Sequence, residues 1–168
     1  MATFDHVVKL VSSNSDEVAN AVAELSCIAA EAFGLDASRL AANVRESGGL
    51  DVLVACMDDP SDEVQQCAMS LLGNLLTDVF DPEARLSLAE FSEADGLKSL
   101  QQKLLAEFPI NLYAAACLQN VTALDPQHCC AELRSRGCAD VLSQLLDGGD
   151  DRVRVPSHRV TACSLHTS

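Results

Sequence analysis

The sequence predicts an all-α protein built from a repeated helical unit, and three observations lead to that prediction. Apolar residues make up 48% of the 168 residues, but aromatic residues only 4%, and there is no Trp. Such an interior is typical of packed helices built from Ala, Leu and Val. Apolar residues also recur at helical spacing, and the chain resembles itself when shifted by 46 positions. A chain of this length can bury a sizeable core.

The first two copies of the unit align closely. Residues 4–18, FDHVVKLVSSNSDEV, match residues 50–64, LDVLVACMDDPSDEV. Each copy predicts a short apolar helix, a polar turn and then a longer apolar helix. Ser61 and Asp62 suit the start of the longer helix, because both types cap exposed N–H groups and an acid favours the positive end of the helix dipole.

Two further copies follow. The third covers residues 97–121, and the fourth begins at residue 139. Pro109 is expected to open the long helix of the third copy, and Pro156 that of the fourth, since proline is tolerated in a first helical turn. A unit of this kind leaves an apolar stripe uncovered when it stands alone, and stacking covers it.

Glycines mark the joints between helices, where a helix must stop and the chain must turn sharply. They lie at Gly48 and Gly49, at Gly96 and at Gly137. We therefore expect one domain over residues 1–168. Its units are expected at approximately 4–49, 50–96 and 97–138, with a truncated unit at 139–168.

Four segments of the chain resemble the armadillo repeat family. ESGGLDVLV (residues 46–54) is similar to the family's joint between its first and second helices, and DEVQQCAMSLLGNL (62–75) to the start of its third helix. RSRGCADVLSQLL (134–146) repeats the joint, and INLYAAACLQNV (110–121) repeats the third helix. The resemblance implies a right-handed α-solenoid of about three and a half armadillo-like repeats. HEAT repeats are the nearest alternative, but the glycine joints and the Asn residues favour armadillo.

Some positions depart from the repeat pattern. The first copy starts at the second helix of the unit and has Ile28 where later copies have Asn. The fourth copy has Cys163 at that place. The joint at residues 78–96 is longer than the others.

Asn74 and Asn120 occupy the same place in consecutive long helices. The resemblance implies that these third helices line a concave groove and that the Asn amide holds the backbone of an extended peptide. An amide offers two donors and one acceptor, so it can pair with any peptide backbone. We expect Asn74 and Asn120 to act as backbone clamps, with Ser70, Gln66 and Gln119 near them.

A packing role for the two amides stays open as well, because each could bond a neighbouring helix end or a loop carbonyl. Nuclear-import adaptors of the family use Trp beside Asn to hold basic side chains, and this chain has no Trp. The sequence therefore predicts a general peptide groove rather than a reader of nuclear-localisation signals.

The formal charge of −14 argues against a nucleic-acid binder, which needs cations to displace phosphate counterions. It also disfavours an anionic membrane surface as partner, and no apolar run reaches the length of a membrane span. The acidity fits either solubility or a basic protein partner. With no secretory signal at the start, an intracellular, by default cytoplasmic, location is expected, or an organelle if a transit peptide has been removed.

One group of residues could suggest a metal site: His128, Cys129 and Cys130, with Cys138 further on. Zinc sites usually space their ligands in pairs, whereas adjacent cysteines on a helix point in different directions. We expect these cysteines in the core and no metal or cofactor. Catalytic Ser/His/Asp or Cys/His arrangements are not recognisable either, so the sequence predicts no enzyme.

Both ends of the chain carry apolar residues that the sequence leaves without cover: Phe4, Val7, Val8 and Val11 near the start, and Val160, Cys163 and Leu165 near the finish. Solenoids normally finish with polar capping units. Either the ends dock onto other proteins of a larger assembly, or the sequence is a fragment of a longer array.

Two functions are therefore predicted: an adaptor that binds a peptide in its groove, or a scaffold subunit held by its ends. The oligomeric state stays open.

Overall fold

The computed structural model describes residues 2–148 and 151–166, with side chains described for 4–138, 140–147, 151–153, 156–157 and 159–161. The prediction of an all-α fold is confirmed in these residues, which contain helices and no strand. The helices are α1 (Ala2–Leu10), α2 (Ser15–Glu31), α3 (Leu35–Glu46), α4 (Gly49–Cys56), α5 (Asp62–Leu75), α6 (Ala84–Glu93), α7 (Gly96–Lys103), α8 (Ile110–Leu124), α9 (Pro126–Ser135), α10 (Cys138–Gly148) and α11 (Asp151–His166).

The helices recur in a fixed order of first, second and third helix. α3, α6 and α9 are first helices, α1, α4, α7 and α10 are second helices, and α2, α5, α8 and α11 are third helices. Each third helix packs against the next one along the chain, so α2 contacts α5, α5 contacts α8 and α8 contacts α11. We call this continuous row of four helices the third-helix layer. It is the surface that the stacking of the units creates.

The third helices bury equivalent positions. Two residues three apart in each helix lie in the core, and the sequence repeat aligns them: Val22 and Leu25, Ala68 and Leu71, Ala114 and Cys117, Ser157 and Val160. Because residues three or four apart share one helix face, the same face of each third helix packs inward. The opposite face is left for contact with solvent or a partner.

Among α2, α5 and α8, a side-chain cap is present at the start of α2, whereas Ser61 and Pro109 at the N-caps of α5 and α8 make no such bond. The Asn14 side chain accepts a hydrogen bond from the Asp16 N–H at the start of α2, and Pro109 lies at the N-cap of α8. The prediction that Pro156 opens the long helix of the fourth copy is wrong, because α11 begins at Asp151 and Pro156 lies inside the helix. An acid in the first turn, Asp151, favours the earlier start, and the helix continues through Pro156 without a backbone N–H at that residue.

The joints use a left-handed residue followed by a small buried one. Gly48 has φ 72° and Gly137 has φ 73°, but in the joint between them Asp95 takes this role at φ 59°. Gly96 is instead needed for packing, because a Cβ there would lie 2.2 Å from the Phe91 ring. Aspartate tolerates the left-handed conformation better than most residues, so the joint forms without a glycine at the turn.

The long joint after α5 is held by a buried ion pair. Within residues 78–96, Ala84–Glu93 form α6. The residues before α6 include Asp81, which contacts α3. Arg45 donates from Nη1 to Asp81 Oδ2 at 2.5 Å and to Ser87 Oγ at 2.8 Å. The two charged side chains are only 8% and 3% exposed. The extra length of this connection therefore serves to bring Asp81 to Arg45.

The apolar ends are covered more completely than the sequence predicts. Val7 and Val160 are buried, so the expectation that they lack cover is wrong. Neighbouring helices reach them, since α1 packs on α2 and α11 packs on α8. Phe4 and Val8 of α1 and Val11 just after it are exposed as expected, by 60%, 54% and 43%. The side chains of Cys163 and Leu165 lie outside the described residues.

Among the described residues, no helix combines the length and the apolar character that crossing a membrane requires.

Candidate functional site

The five predicted contact residues lie on the two middle helices of the third-helix layer. Gln66, Ser70 and Asn74 belong to α5, and Gln119 and Asn120 to α8. All five are half-buried. This exposure leaves their polar groups within reach of a partner while the surrounding helices restrict their motion.

Asn120 bonds a neighbouring helix. Its Nδ2 donates to the backbone oxygen of Gly73 in α5 at 2.8 Å. Gly73 lies in the last turn of α5, where backbone carbonyls have no partner further along the helix. The packing role that the sequence left open is thus present at Asn120. One amide hydrogen serves it, and an Asn side chain also carries a second N–H and an oxygen.

Asn74 makes a different contact. Its Nδ2 donates to the backbone oxygen of Ser70 at 3.2 Å, within α5 itself. Such back-bonding to the preceding turn adds little stability to a helix. The side chain of Asn74 therefore has a weaker hold on the fold than that of Asn120, although both occupy the same repeat position.

Gln66 precedes Ser70 by four residues and so shares the helix face of Ser70 and Asn74, whereas Gln119 lies on a different side of α8 from Asn120. Gln119 occupies in α8 the position that Gly73 occupies in α5, and Gly73 faces the next third helix, with its nearest neighbours Asn120 and Cys117. By the same geometry Gln119 lies on the side of α8 that is turned toward α11. Asn74 and Asn120 therefore belong to one row that crosses adjacent third helices, whereas Gln119 lies at the boundary with the following helix.

A polar cleft between α2 and α5 was not predicted from the sequence. Its lining includes Asp16 and Asn20 from α2 and Glu63 and Cys67 from α5. The repeat contains a signal for it, because a shift of 46 positions places Glu17 over Glu63. These acids also suit the first turns of their helices.

The cysteines of the candidate metal group are buried. Cys129, Cys130 and Cys138 lie in the core, and the described residues contain no group of three or more His, Cys, Asp or Glu that could hold a metal ion. Burial raises the pKa of the Cys138 thiol to about 11 and that of Cys117 to about 12. These thiols are protonated at neutral pH, and a protonated thiol is a poor nucleophile and metal ligand.

The fold and the layer define an α-solenoid, a class of repeat protein. Comparison with solved structures identifies the repeat as armadillo-like. An engineered protein matches with a TM-score of 0.79 and 22% identity over 99% of this chain and 63% of its own. A designed armadillo repeat protein in complex with the peptide (KR)4 matches with a TM-score of 0.76 and 22% identity over 97% of this chain and 64% of its own.

Computationally designed armadillo repeat proteins for modular peptide recognition also match, with a TM-score of 0.76 and 22% identity over 96% of this chain and 64% of theirs. This chain thus spans somewhat less than two thirds of these structures. No family model matches the sequence, and no curated protein matches it. At this level of identity the likeness shows the fold, and the prediction of a right-handed armadillo-like solenoid is confirmed.

Proposed function

We propose that the chain is a non-catalytic protein–protein interaction module that binds an extended segment of a partner along the third-helix layer. Asn74 and Asn120 contact the partner's backbone, with Ser70, Gln66 and Gln119 beside them. The partner is a protein rather than a nucleic acid. The module works as an adaptor inside the cell, in the cytoplasm by default.

The observation that carries this proposal is the row of half-buried polar side chains on the middle of the layer. Asn74 supports it most directly, because its hydrogen bond stays within its own helix and an extended peptide would offer its amide a better partner. The solved structures add support from the fold. One is a complex of a designed armadillo protein with a peptide, and another was designed for peptide recognition.

A peptide-display selection tests the proposal. The chain is immobilised and challenged with random peptides of about 12 residues. An extended peptide is expected to cross each third helix within a few residues, so this length covers the layer. Enriched peptides are synthesised, and their affinity is measured by isothermal titration calorimetry. The expected result is binding of one peptide per chain.

The variants Asn74→Ala and Ser70→Ala should each weaken this binding, and together by at least about tenfold, the loss expected when a backbone clamp is removed. Gln102→Ala is the matched control, because Gln102 is exposed on the second helix α7, away from the layer, and it should bind as the unmodified chain does. Failure to enrich any peptide, or equal affinity for all variants, would exclude the groove as the binding surface.

A second candidate function rests on the exposed apolar residues of α1 and of the turn that follows it. Phe4, Val8 and Val11 recur at spacings of four and three residues and are 60%, 54% and 43% exposed. This apolar surface suits docking onto a neighbour in a larger assembly, where the chain would be a scaffold subunit. Replacing Phe4 and Val8 with Ser should then release partners that co-purify at fixed stoichiometry, whereas Asn74→Ala should leave them bound.

A further inference from the structure

The third-helix layer changes its charge from one end to the other. α2 carries four carboxylates and no basic residue, and α5 carries two carboxylates and no basic residue. α8 has no charged residue. α11 has three arginines and one aspartate. The formal charge therefore rises at every step along the stack, although the whole chain has a charge of −14.

The change occurs at equivalent positions. The repeat aligns Val18, Val64, Ile110 and Val153 as the same point of the four third helices. The residues just before this point are Glu17, Glu63, Pro109 and Arg152. The residues six positions after it are Glu24, Ser70, Ala116 and Arg159. Both rows pass from a carboxylate to an uncharged residue and end on an arginine.

These rows are on the accessible side of the layer. Glu24, Ala116 and Arg159 are exposed, and Ser70 between them is half-buried. Ser70 precedes Asn74 by four residues, which places the second row beside the amides on the same helix face. The first row also reaches solvent at its ends, through Glu17 and Arg152, and the Arg152 guanidinium lies over the Phe108 ring with 3.9 Å to its centroid.

We infer that the layer selects an extended peptide segment with opposite charges at its two ends, basic where it crosses α2 and acidic where it crosses α11. This inference rests on the proposed function and specifies its partner. Neighbouring helices pack about 8–10 Å apart, so α2 and α11 lie about 24–30 Å from each other, which an extended chain spans in about 7–9 residues. An uncharged stretch crosses α8, and the amides hold its backbone.

Three synthetic peptides of about 12 residues and identical composition test the inference, since this length leaves a charged group at each end of the span. The first has Lys and Arg at its N-terminus, Ser and Thr in the middle, and Asp and Glu at its C-terminus. The second has the reverse order, and the third mixes the charges along its length. A fourth peptide is made from whichever polarised peptide binds more tightly. It keeps that peptide's basic end and replaces its acidic end with Ser and Thr. Affinities are measured by fluorescence anisotropy at low and high salt.

One of the two polarised peptides should bind at least about tenfold more tightly than the mixed one at low salt, and the advantage should shrink at high salt. The peptide without an acidic end should also bind more weakly than the polarised one. The variant Glu24→Arg/Arg159→Glu keeps the net charge and should abolish or reverse the preference. Glu46→Arg/Lys98→Glu is the matched control on exposed residues of α3 and α7 and should leave it unchanged.

Equal binding of the polarised and mixed peptides would overturn the inference, and so would equal binding of the peptide without an acidic end. If binding of all these peptides still weakens in Asn74→Ala, the proposed function stands without the charge rule. If none of the four peptides binds but peptides from the display selection do, the charge rule alone fails. If no peptide of either kind binds, both proposals fail. Circular dichroism on every variant verifies that the helical fold is retained.

Discussion

When helices are grouped in the order first, second and third, α3 to α5 form the second unit and α6 to α8 the third. The two units hold their helices together differently. In both, an Asn lies at the same place in the third helix. Asn74 bonds its own helix, whereas Asn120 bonds the helix before it. The turn between the first and second helices is made by Gly48 in one unit and by Asp95 in the other. The repeat position sets which way a side chain points, and the neighbouring unit decides what it meets.

Helix length explains why the two amides differ. The carbonyl that Asn120 bonds belongs to Gly73, two residues before the end of α5. The equivalent residue in α2 is Cys27, but α2 runs on to Glu31, so the Cys27 carbonyl has a partner within its own helix. Asn74 therefore has no comparable carbonyl to bond. Because α2 is longer than α5, the Asn74 amide has no packing role toward α2 and can bond a partner instead.

The largest effect is expected at the ion pair that ties the second unit to the start of the third. Asp81→Ala would leave the buried Arg45 guanidinium without its carboxylate and should lower the free energy of unfolding by about 3–5 kcal/mol. Urea unfolding followed by circular dichroism measures this change. Glu83→Ala is the control, because Glu83 lies 3.4 Å from the same guanidinium but is 69% exposed, and it should cost less than about 1 kcal/mol. Similar costs for both variants would contradict the role given to burial.

The two joints provide the next test. Gly96→Ala should destabilise the chain by about 2–3 kcal/mol, because the new Cβ would meet three atoms of the rigid Phe91 ring at 2.2–2.4 Å. Gly49→Ala should cost less, since the nearest atom is the Cδ2 of Leu10 at 2.7 Å, the end of a flexible side chain. The same unfolding measurement ranks the two. A larger loss for Gly49→Ala would show that the joints are packed in another way.

Much of the fold could be predicted from the sequence, because it depends on the pattern that the repeat displays. The shift of 46 positions and the helical spacing of apolar residues predicted a repeated helical unit, and the resemblance to armadillo repeats implied the solenoid. The role of Asp95 was missed, since glycine is the stronger turn signal and Gly96 stands next to it. The partner of Arg45 was missed because Asp81 lies in a long connection where no periodic pattern places a side chain.

The site was predictable only in part. Repeat alignment placed Asn74 and Asn120 on a shared row, but their hydrogen bonds depend on where α2 and α5 end, and element ends are the least predictable feature of a sequence. The charge change along the layer was within reach, because it needs only the aligned residues. A charge summed over the whole chain, −14, does not show that three arginines lie together in its last helix.

The pH dependence of stability distinguishes the two units at one equivalent core position. Cys117 in α8 occupies the position of Leu71 in α5, and burial raises the pKa of this thiol from 9.0 to about 12. The folded state therefore keeps a proton that the unfolded state loses above about pH 9. The stability that the protonated Cys117 thiol contributes is complete below pH 9. As the pH rises from 9 toward 12, the free energy of unfolding falls by about 1.4 kcal/mol per pH unit.

Cys117→Ala should remove this part of the pH dependence. Cys56 and Cys138 also have pKa values raised to about 11 by burial, and they keep part of the slope in the variant. Denaturant unfolding of both proteins at pH 7 and at pH 10 measures the difference. Parallel losses of stability in the two proteins between these pH values would contradict the assignment to Cys117.

The smallest effect, and the most specific one, concerns the two amides themselves. Asn120→Ala would leave the Gly73 carbonyl without its donor and should cost about 1–2 kcal/mol, reduced by about 0.5 kcal/mol because Ala favours the helix. Asn74→Ala should change stability by less than about 0.5 kcal/mol, since the weak bond to Ser70 and the helix propensity nearly offset each other.

Asn120→Asp sharpens the comparison, because it keeps the shape of the side chain but replaces the N–H donor with a carboxylate oxygen that faces the Gly73 carbonyl. It should destabilise the chain more than Asn120→Ala, whereas Asn74→Asp should have a smaller effect in urea unfolding. Equal losses at the two positions would mean that both amides serve packing. A loss at Asn120 alone assigns packing to that residue and leaves Asn74 as the amide that a bound peptide can use without cost to the fold.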